Sequence, residues 1–188
     1  MANSVENEGQ IQYWAAKKEL KRAFIFWDHA NVFHNLQELK VRIDYEAVKR
    51  RLARGYYLVA PIMYLGNPRV VYPKKEKFFV ALEKTGWSIT KKPLRVDDLG
   101  RPSQSGVDEI MFQHICDFAK EGAYEKAIIV SGDNIFVNVV RELRKLNVKV
   151  EVWSFRKSFS RALIWEVGKE RAHYLDDILE EIRLKSEK

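Results

Sequence analysis

The feature that most constrains the fold is a regular alternation between short apolar runs and stretches with helical spacing. Residues 127–130 (AIIV) form an unbroken apolar run, which is typical of a strand buried on both faces of a parallel sheet. From residue 135 to residue 146, apolar side chains then recur at helical spacing. Because the same alternation continues along the chain, it predicts an α/β fold, with a mainly parallel central sheet and helices on both of its faces.

The alternation predicts about five strands, at residues 23–27, 56–65, 87–96, 127–130 and 148–154. Besides the helix that begins near residue 135, it predicts helices at residues 44–54, 73–84, 107–121, 158–168 and 176–185. Pro93 interrupts the third strand, so we expect this strand near an edge of the sheet. Residues 97–106 are the clearest loop. Residues 1–21 are predicted to be a helical extension, with its helix near residues 9–20, ahead of one domain at residues 22–188.

Composition argues against several classes of protein. No apolar run reaches about 18 residues, so no membrane-spanning helix is expected, and the polar N-terminus does not resemble a secretory signal. A single cysteine, Cys116, rules out an internal disulfide and a cysteine-rich metal site. We expect it to be a small buried side chain in a reducing, cytoplasmic protein. The net charge of +7 is compatible with a polyanionic partner.

Three acids and one amide are predicted at the carboxyl edge of the sheet, where open α/β sheets bind their ligands. Asp28 ends the first strand and Asn31 follows three residues later, whereas Asp133 follows the strand at residues 127–130. Asp108 stands in the first turn of a predicted helix, and helices of such a sheet begin at this edge. Like charges on one edge repel each other unless a cation neutralises them. Carboxylate and amide oxygens suit Mg²⁺ or Mn²⁺, so the pattern favours a divalent-metal site.

Each acid also has a structural interpretation. The stretch from Ser105 to Asp108 matches a helix-capping signature, and Asp133 could serve only as the cap of the helix that follows it. Other chemistries lack their motifs, because the chain has no glycine-rich phosphate loop. It also has Ala30 where an Asp-x-Asp phosphatase needs an acid, and the four histidines show no zinc spacing.

Four blocks of the sequence, taken in their order and spacing over residues 22–182, resemble the NYN-domain family of PIN-like nucleases, in its LabA-like branch. They are FIFWDHANVF, SGVDEIMF, KAIIVSGDNIFVNVVRELRKLNVKVEVW and AHYLDDILEEI. The resemblance implies a PIN-like sheet and a divalent-metal-dependent endoribonuclease that cleaves RNA. It assigns the metal site to Asp28, Asn31, Asp108 and Asp133, and it makes the three aspartates the catalytic residues.

Two departures from the family pattern bear on activity. Ile135 stands where the family commonly has a second acid, and Ser105 stands where it often has a lysine. The missing acid should weaken metal binding or leave one firmly held ion instead of two, unless it is replaced by Asn134, Glu109, Asp97 or Asp98. A catalytically weak or inactive RNA-binding or regulatory module is therefore an alternative. Another is an interaction scaffold that assembles, for example as a homo-oligomer, through its N-terminal helix.

Basic residues supply the expected contacts with RNA. The cluster nearest to the predicted site flanks the loop that leads to Asp108, and we expect it to contact phosphates: Lys91, Lys92, Arg95 and Arg101. Two further basic clusters, within residues 49–54 and 74–77, are more typical of solvated helix faces. Trp27, Tyr72 and Trp153 could stack on bases, although most aromatic side chains are expected in the core.

Overall fold

The computed structural model describes residues 20–67, 73–93, 95–96, 102–103 and 106–185. Its strands are β1 (Arg22–Asp28), β2 (Tyr57–Asn67), β3 (Ser88–Pro93), β4 (Arg95–Val96), β5 (Pro102–Ser103), β6 (Lys126–Val130), β7 (Lys149–Ser154) and β8 (Ala172–Tyr174). Six of them form one sheet in the order β3-β2-β1-β6-β7-β8. Every neighbouring pair in this sheet is parallel, so the carboxyl ends of all six strands lie at one edge.

Helices connect the strands of the sheet. They are α1 (His29–Leu39), α2 (Tyr45–Leu52), α3 (Pro73–Lys84), α4 (Val107–Lys120), α5 (Phe136–Lys145), α6 (Arg161–Val167) and α7 (Leu179–Ile182). Short 3-10 segments occupy Arg156–Ser158, Lys169–Arg171 and Leu175–Ile178. No helix in the described ranges is both long and apolar enough to cross a lipid bilayer.

The sheet separates two hydrophobic cores, because successive side chains of a strand point to opposite faces. In β1, Phe24 and Phe26 join the core that contains side chains of α4, α5 and α6. Ile25 and Trp27 of the same strand join the core that contains side chains of α1, α2 and α3. The α/β fold with helices on both faces of a mainly parallel sheet is thus confirmed. The burial of Cys116, on α4, is confirmed as well.

The structure differs from the sequence-based expectations mainly in short elements. The sheet has six strands rather than about five, because the three-residue β8 is too short to show an alternating pattern. The third strand is an edge strand, as predicted, but it ends at Pro93. Beyond it, β4, from the end of the predicted third strand, pairs antiparallel with β5, which lies in the predicted loop at residues 97–106. The predicted helix at residues 176–185 is a 3-10 segment followed by α7, and the helix predicted at residues 9–20 lies outside the described residues.

Candidate active site at the carboxyl edge of the sheet

Asp28 is a buried carboxylate at the end of β1. It is also the N-cap of α1, and its Oδ1 accepts the backbone N–H of Asn31 at 3.2 Å. Its Oδ2 accepts the hydroxyl of Ser131 at 2.8 Å. Burial raises the pKa of Asp28, hydrogen bonds from Asn31, Ser131 and the Ala30 backbone oppose this rise, and the negative charge of Asp133 adds to it. Desolvation and a negative neighbour therefore both destabilise the charged form of Asp28. A bound cation would offset this destabilisation.

The loop after β6 brings a second acid to the same place. Ser131 is fully buried, and its Oγ donates to Asp28 while it accepts the backbone N–H of Asp133 at 3.2 Å. Asp133 is exposed, and its Oδ1 accepts the N–H of Ile135 at 3.0 Å. The side chain of Asp133 thus stabilises the turn before α5, which is part of the structural role that the sequence offered as the alternative to a metal ligand. Its carboxylate still faces solvent, so this role does not preclude a ligand there.

Asn31 connects the turn after β1 with the loops after β6 and β7. Its Oδ1 accepts the N–H of Gly132 at 3.1 Å and the hydroxyl of Ser154 at 3.5 Å. Its backbone oxygen accepts from the amide of Asn35, which also donates to Ser158 Oγ at 3.1 Å. Sequence reasoning missed the serines of this network. The available signal was a small polar residue at the carboxyl end of a buried strand, at Ser131 and again at Ser154.

Asp108 lies in the first turn of α4 and is half-buried. Burial, together with the negative charges of Asp28, Asp133 and Glu109, raises the pKa of Asp108 to about 6. Gly106 is the N-cap of α4, with φ at 95°, and no side chain makes a capping hydrogen bond there among the residues that the structure describes. Ser105, the expected cap, lies outside the described residues.

The three carboxylates lie near enough that the charge of Asp133 raises the pKa of Asp28, and the charges of Asp28 and Asp133 raise the pKa of Asp108. Within the described part of the chain, however, no three His, Cys, Asp or Glu side chains are close enough together to hold a metal ion. Mg²⁺ usually keeps several waters and is held in proteins by one or two carboxylates together with substrate phosphates. The donor set therefore fits a hydrated Mg²⁺ or Mn²⁺ rather than an ion enclosed by protein ligands.

Ile135, which stands where the family commonly has a second acid, lies at the surface. Ile135 is 38% exposed and directly precedes α5, so the alternative that it packs in the core is wrong. Of the side chains that could replace the acid, Glu109 is exposed, with its Oε2 3.9 Å from Lys92 Nζ. The amide oxygen of Asn134 accepts from Ser160 Oγ at 3.4 Å. Asp97 and Asp98 lie outside the described residues.

The basic residues near the site differ in what they contact. Lys91 is exposed, with its Nζ 4.3 Å from the ring centroid of Phe79. Lys92 is half-buried and donates to Gly106 O at 2.8 Å, so it holds the beginning of the helix that carries Asp108. The side chain of Arg95 and all of Arg101 lie outside the described residues, as does Tyr72.

Two tryptophans that we considered for base stacking are enclosed by the protein. Trp27 is 0% exposed and Trp153 is 5% exposed. Neither ring presents a free face to an incoming base, because each packs in the core on the α1, α2 and α3 side of the sheet. Stacking on these two rings, considered from the sequence, is therefore wrong.

Comparison with known protein families identifies the family of this chain. The profile of the NYN domain matches residues 22–170, which is most of the chain. The chain belongs to the NYN domain family. Its NYN domain has a nuclease-like fold of the PIN type, as the resemblance in sequence implied. The LabA-like branch stays a prediction.

A solved structure has a fold similar to that of this chain. It is the crystal structure of a protein of unknown function from Vibrio parahaemolyticus, with a TM-score of 0.73 and 21% sequence identity. The likeness covers 88% of this chain and 97% of that chain. At this identity it shows the fold alone. No curated protein matches the chain.

Proposed function

We propose that this NYN domain is a divalent-metal-dependent endoribonuclease that cleaves RNA phosphodiester bonds at Asp28, Asp108 and Asp133. The observation that supports this proposal is the proximity of three carboxylates at one edge of the sheet, where burial and neighbouring charge raise the pKa of Asp28 and Asp108. Such an arrangement is unfavourable in a protein without ligands, and catalytic sites are where it recurs. The net charge of +7 favours an anionic substrate such as RNA.

Each residue of the site has a separate part in this proposal. Asp28, Asp108 and Asp133 would hold a hydrated ion, in part through its waters, and the ion would supply a bound water of lowered pKa and a positive charge for the scissile phosphate. Ser131 fixes the position of Asp28 relative to Asp133, because its hydroxyl is hydrogen-bonded to both residues. Asn31 holds the loop of Asp133 through Gly132. A direct role for Asn31 as a metal ligand stays a prediction.

A cleavage assay on mixed RNA tests the proposal. The purified full chain would be incubated with single-stranded and duplex RNA in the presence of Mg²⁺, Mn²⁺ or a chelator. We expect internal cuts with either ion and intact RNA with the chelator. Cleavage that persists in the chelator would contradict metal dependence, and shortening from the ends alone would contradict endonuclease action.

A second candidate is an RNA-binding or regulatory module without turnover. It is favoured by Ile135 at the position of the second acid, and by the lack of a three-ligand metal site within the described residues. The same assay separates the two candidates when RNA binding is measured alongside. Binding without cleavage under every ion would support the module, whereas metal-dependent cuts would exclude it.

Ile135→Asp is expected to tighten Mn²⁺ binding by about tenfold, because affinity rises with the number of charged ligands. The side chain is 38% exposed, so the new carboxylate would not be buried. The metal-free variant should be somewhat less stable from added repulsion, and it should recover with Mn²⁺ by linkage. Titration calorimetry and thermal melts would measure both effects. Ile135→Asn is the matched control without charge, and equal Mn²⁺ affinity in the two variants would contradict the prediction.

Asp108→Asn is expected to stabilise the metal-free protein at neutral pH. The pKa of Asp108 is raised from 3.8 to about 6 in the folded protein. Between these values the folded protein binds more protons than the unfolded chain, so the free energy of unfolding falls as pH rises. After allowance for solvent screening of a half-exposed group, the variant should gain roughly 1 kcal/mol above about pH 7 and nothing below about pH 4.

Urea unfolding of the Asp108 variant and the wild type, both in chelator and over this pH range, would check the effect. Glu121→Gln is the control, because it removes an exposed acid at the far end of the same helix. A gain that does not depend on pH would show that the titration of Asp108 is not its source.

A further inference from the structure

Trp165 on α6 is 80% exposed, the largest exposure among the large hydrophobic side chains of the described residues. Its neighbours in the helix pack inward, since Leu163 and Val167 belong to the core on that side of the sheet. Within the described ranges, no other ring or cation stacks on the indole. A single exposed apolar side chain is common in proteins, so its surroundings must show whether it has a function.

The helix that carries Trp165 begins against the candidate active site. Ser160, the N-cap of α6, donates its backbone N–H to Gly132 O at 2.9 Å, and its hydroxyl contacts Asn134 Oδ1 at 3.4 Å. Both partners are sequence neighbours of Asp133. Trp165 is five residues further along α6, which places it about 7.5 Å from Ser160 along the helix axis. A nucleotide adjacent to one bound at the aspartates could therefore reach the indole.

Basic side chains lie on the helix face of this tryptophan and around the residue that follows it. Arg161 precedes it by four residues and so shares its helix face. Arg161 is exposed, and it forms no ion pair with the residues that the structure describes. Arg141 and Arg144 of α5 are also exposed, and each guanidinium lies 2.8 Å from a carboxylate oxygen of buried Glu166, the residue next to Trp165. Burial favours a raised pKa for Glu166, but the two arginines outweigh it and hold the pKa below its ordinary value.

We call Arg141, Arg144, Arg161 and Trp165 the Trp165 surface. It carries three guanidiniums against the one carboxylate of Glu166, so its net charge is positive. A planar aromatic ring beside positive charges is the combination by which proteins bind single-stranded nucleic acid, because every base offers a face for stacking and every phosphate a negative charge. A paired base inside a duplex has both faces covered by its neighbours and offers no such contact.

We propose that the Trp165 surface binds the single-stranded part of the RNA next to the scissile phosphate, with one base stacked on Trp165 and one phosphate paired with Arg161. This proposal rests on the proposed ribonuclease function and adds a substrate class to it, namely unpaired RNA. It commits to RNA as the occupant because the charge of the surface is complementary to RNA and because α6 is continuous with the candidate active site.

Binding measured in chelator tests the proposal without interference from cleavage. The probes are a labelled single-stranded oligouridylate and a blunt RNA duplex of equal length. We expect Trp165→Ala to weaken binding of the single strand about tenfold or more and to leave binding of the duplex unchanged. Trp165→Phe should retain most of the affinity. The matched control is Leu146→Ala, an exposed apolar side chain after the far end of α5, which should change neither affinity.

The salt dependence of the same binding isolates the phosphate contact. Arg161→Ala should lower the slope of log affinity against log salt by about 0.7 for the single strand. Arg54, exposed at the opposite edge of the sheet, provides the control, and Arg54→Ala should keep the wild-type slope. An unchanged slope in the Arg161 variant would overturn the assignment of the phosphate to Arg161.

Two other outcomes would overturn the proposal as a whole. One is equal single-strand affinity of Trp165→Ala and the wild type, including the case in which neither binds. The other is a Trp165→Ala variant that converts a dimer into monomers in sedimentation at unchanged affinity per chain, because Trp165 would then contact a second copy. Failure of the ribonuclease proposal alone would give a different result. The wild type would still bind single-stranded RNA in chelator through Trp165, but it would not cleave RNA when metal is present.

Discussion

Asp28→Asn and Asp133→Asn are each expected to lower metal-dependent RNA cleavage by on the order of 100-fold or more while the protein stays folded. Both substitutions keep the shape of the side chain and remove one of the negative charges that would hold the ion. Asp28 is buried, and hydrogen bonds from Asn31 and Ser131 stabilise its charge only in part, because burial still raises its pKa. An asparagine can accept the first bond and donate to the Ser131 hydroxyl in place of the second.

Stability distinguishes loss of chemistry from loss of fold in these variants. Because burial raises the pKa of Asp28, removal of its charge should leave the melting temperature of the metal-free protein equal or higher. Asp44→Asn is the matched control, since Asp44 is also an aspartate N-cap, accepting the N–H groups of Glu46 and Ala47 outside the site. We expect this variant to cleave like the wild type. Full activity in both site variants would exclude the aspartates as the active site.

Gly132→Ala is expected to lower the free energy of unfolding by about 3 kcal/mol and to abolish cleavage. A Cβ at Gly132 would lie 2.1 Å from the backbone oxygen of Ser158 and 2.5 Å from Ser154 Oγ. The first of these atoms belongs to the backbone and cannot rotate away, so the loop itself must shift. That loop carries Asp133 and donates to Asn31 through the Gly132 N–H, and its movement would separate the acids.

Urea unfolding and the cleavage assay together measure this effect. Gly122→Ala is the control, because Gly122 has φ at +67° and no atom within 4 Å of its would-be Cβ. Its substitution should cost about 1 kcal/mol from backbone conformation and leave cleavage intact. If both alanine variants lose the same stability and both stay active, close packing at Gly132 would not be a requirement of the site.

The fold class could be predicted because it depends on the local spacing of apolar residues along the chain. An unbroken apolar run such as residues 127–130 is stable as a strand only when helices bury both faces of its sheet. The helical spacing that follows the run predicts one of these helices. Pro93 marked an edge strand for an equally local reason, since proline lacks the N–H that a central strand needs. The placement of Asp28 and Asp133 at the ends of β1 and β6 followed from the same strand boundaries.

Contacts between distant segments could not be predicted from these patterns. The Ser131 hydroxyl reaches Asp28 across 103 positions of sequence, and it does so because β1 and β6 are neighbours in the sheet. Periodicity shows that a segment is a strand but not which strand lies beside it. The hydrogen bonds among Asn31, Ser154 and Ser158 therefore became visible only once the strand order was known.

The sequence by itself determined the longer strands and helices of the sheet layers and the ends of β1 and β6, because those properties depend on neighbours along the chain. Tertiary structure alone decided that Trp27 and Trp153 are buried while Trp165 is exposed. All three tryptophans have apolar neighbours in the sequence, so local composition does not show which of them is exposed. Their burial depends on whether a second layer covers the face on which each one lies. The helices on that side of the sheet enclose Trp27 and Trp153, whereas the described residues leave the outer face of α6 open to solvent.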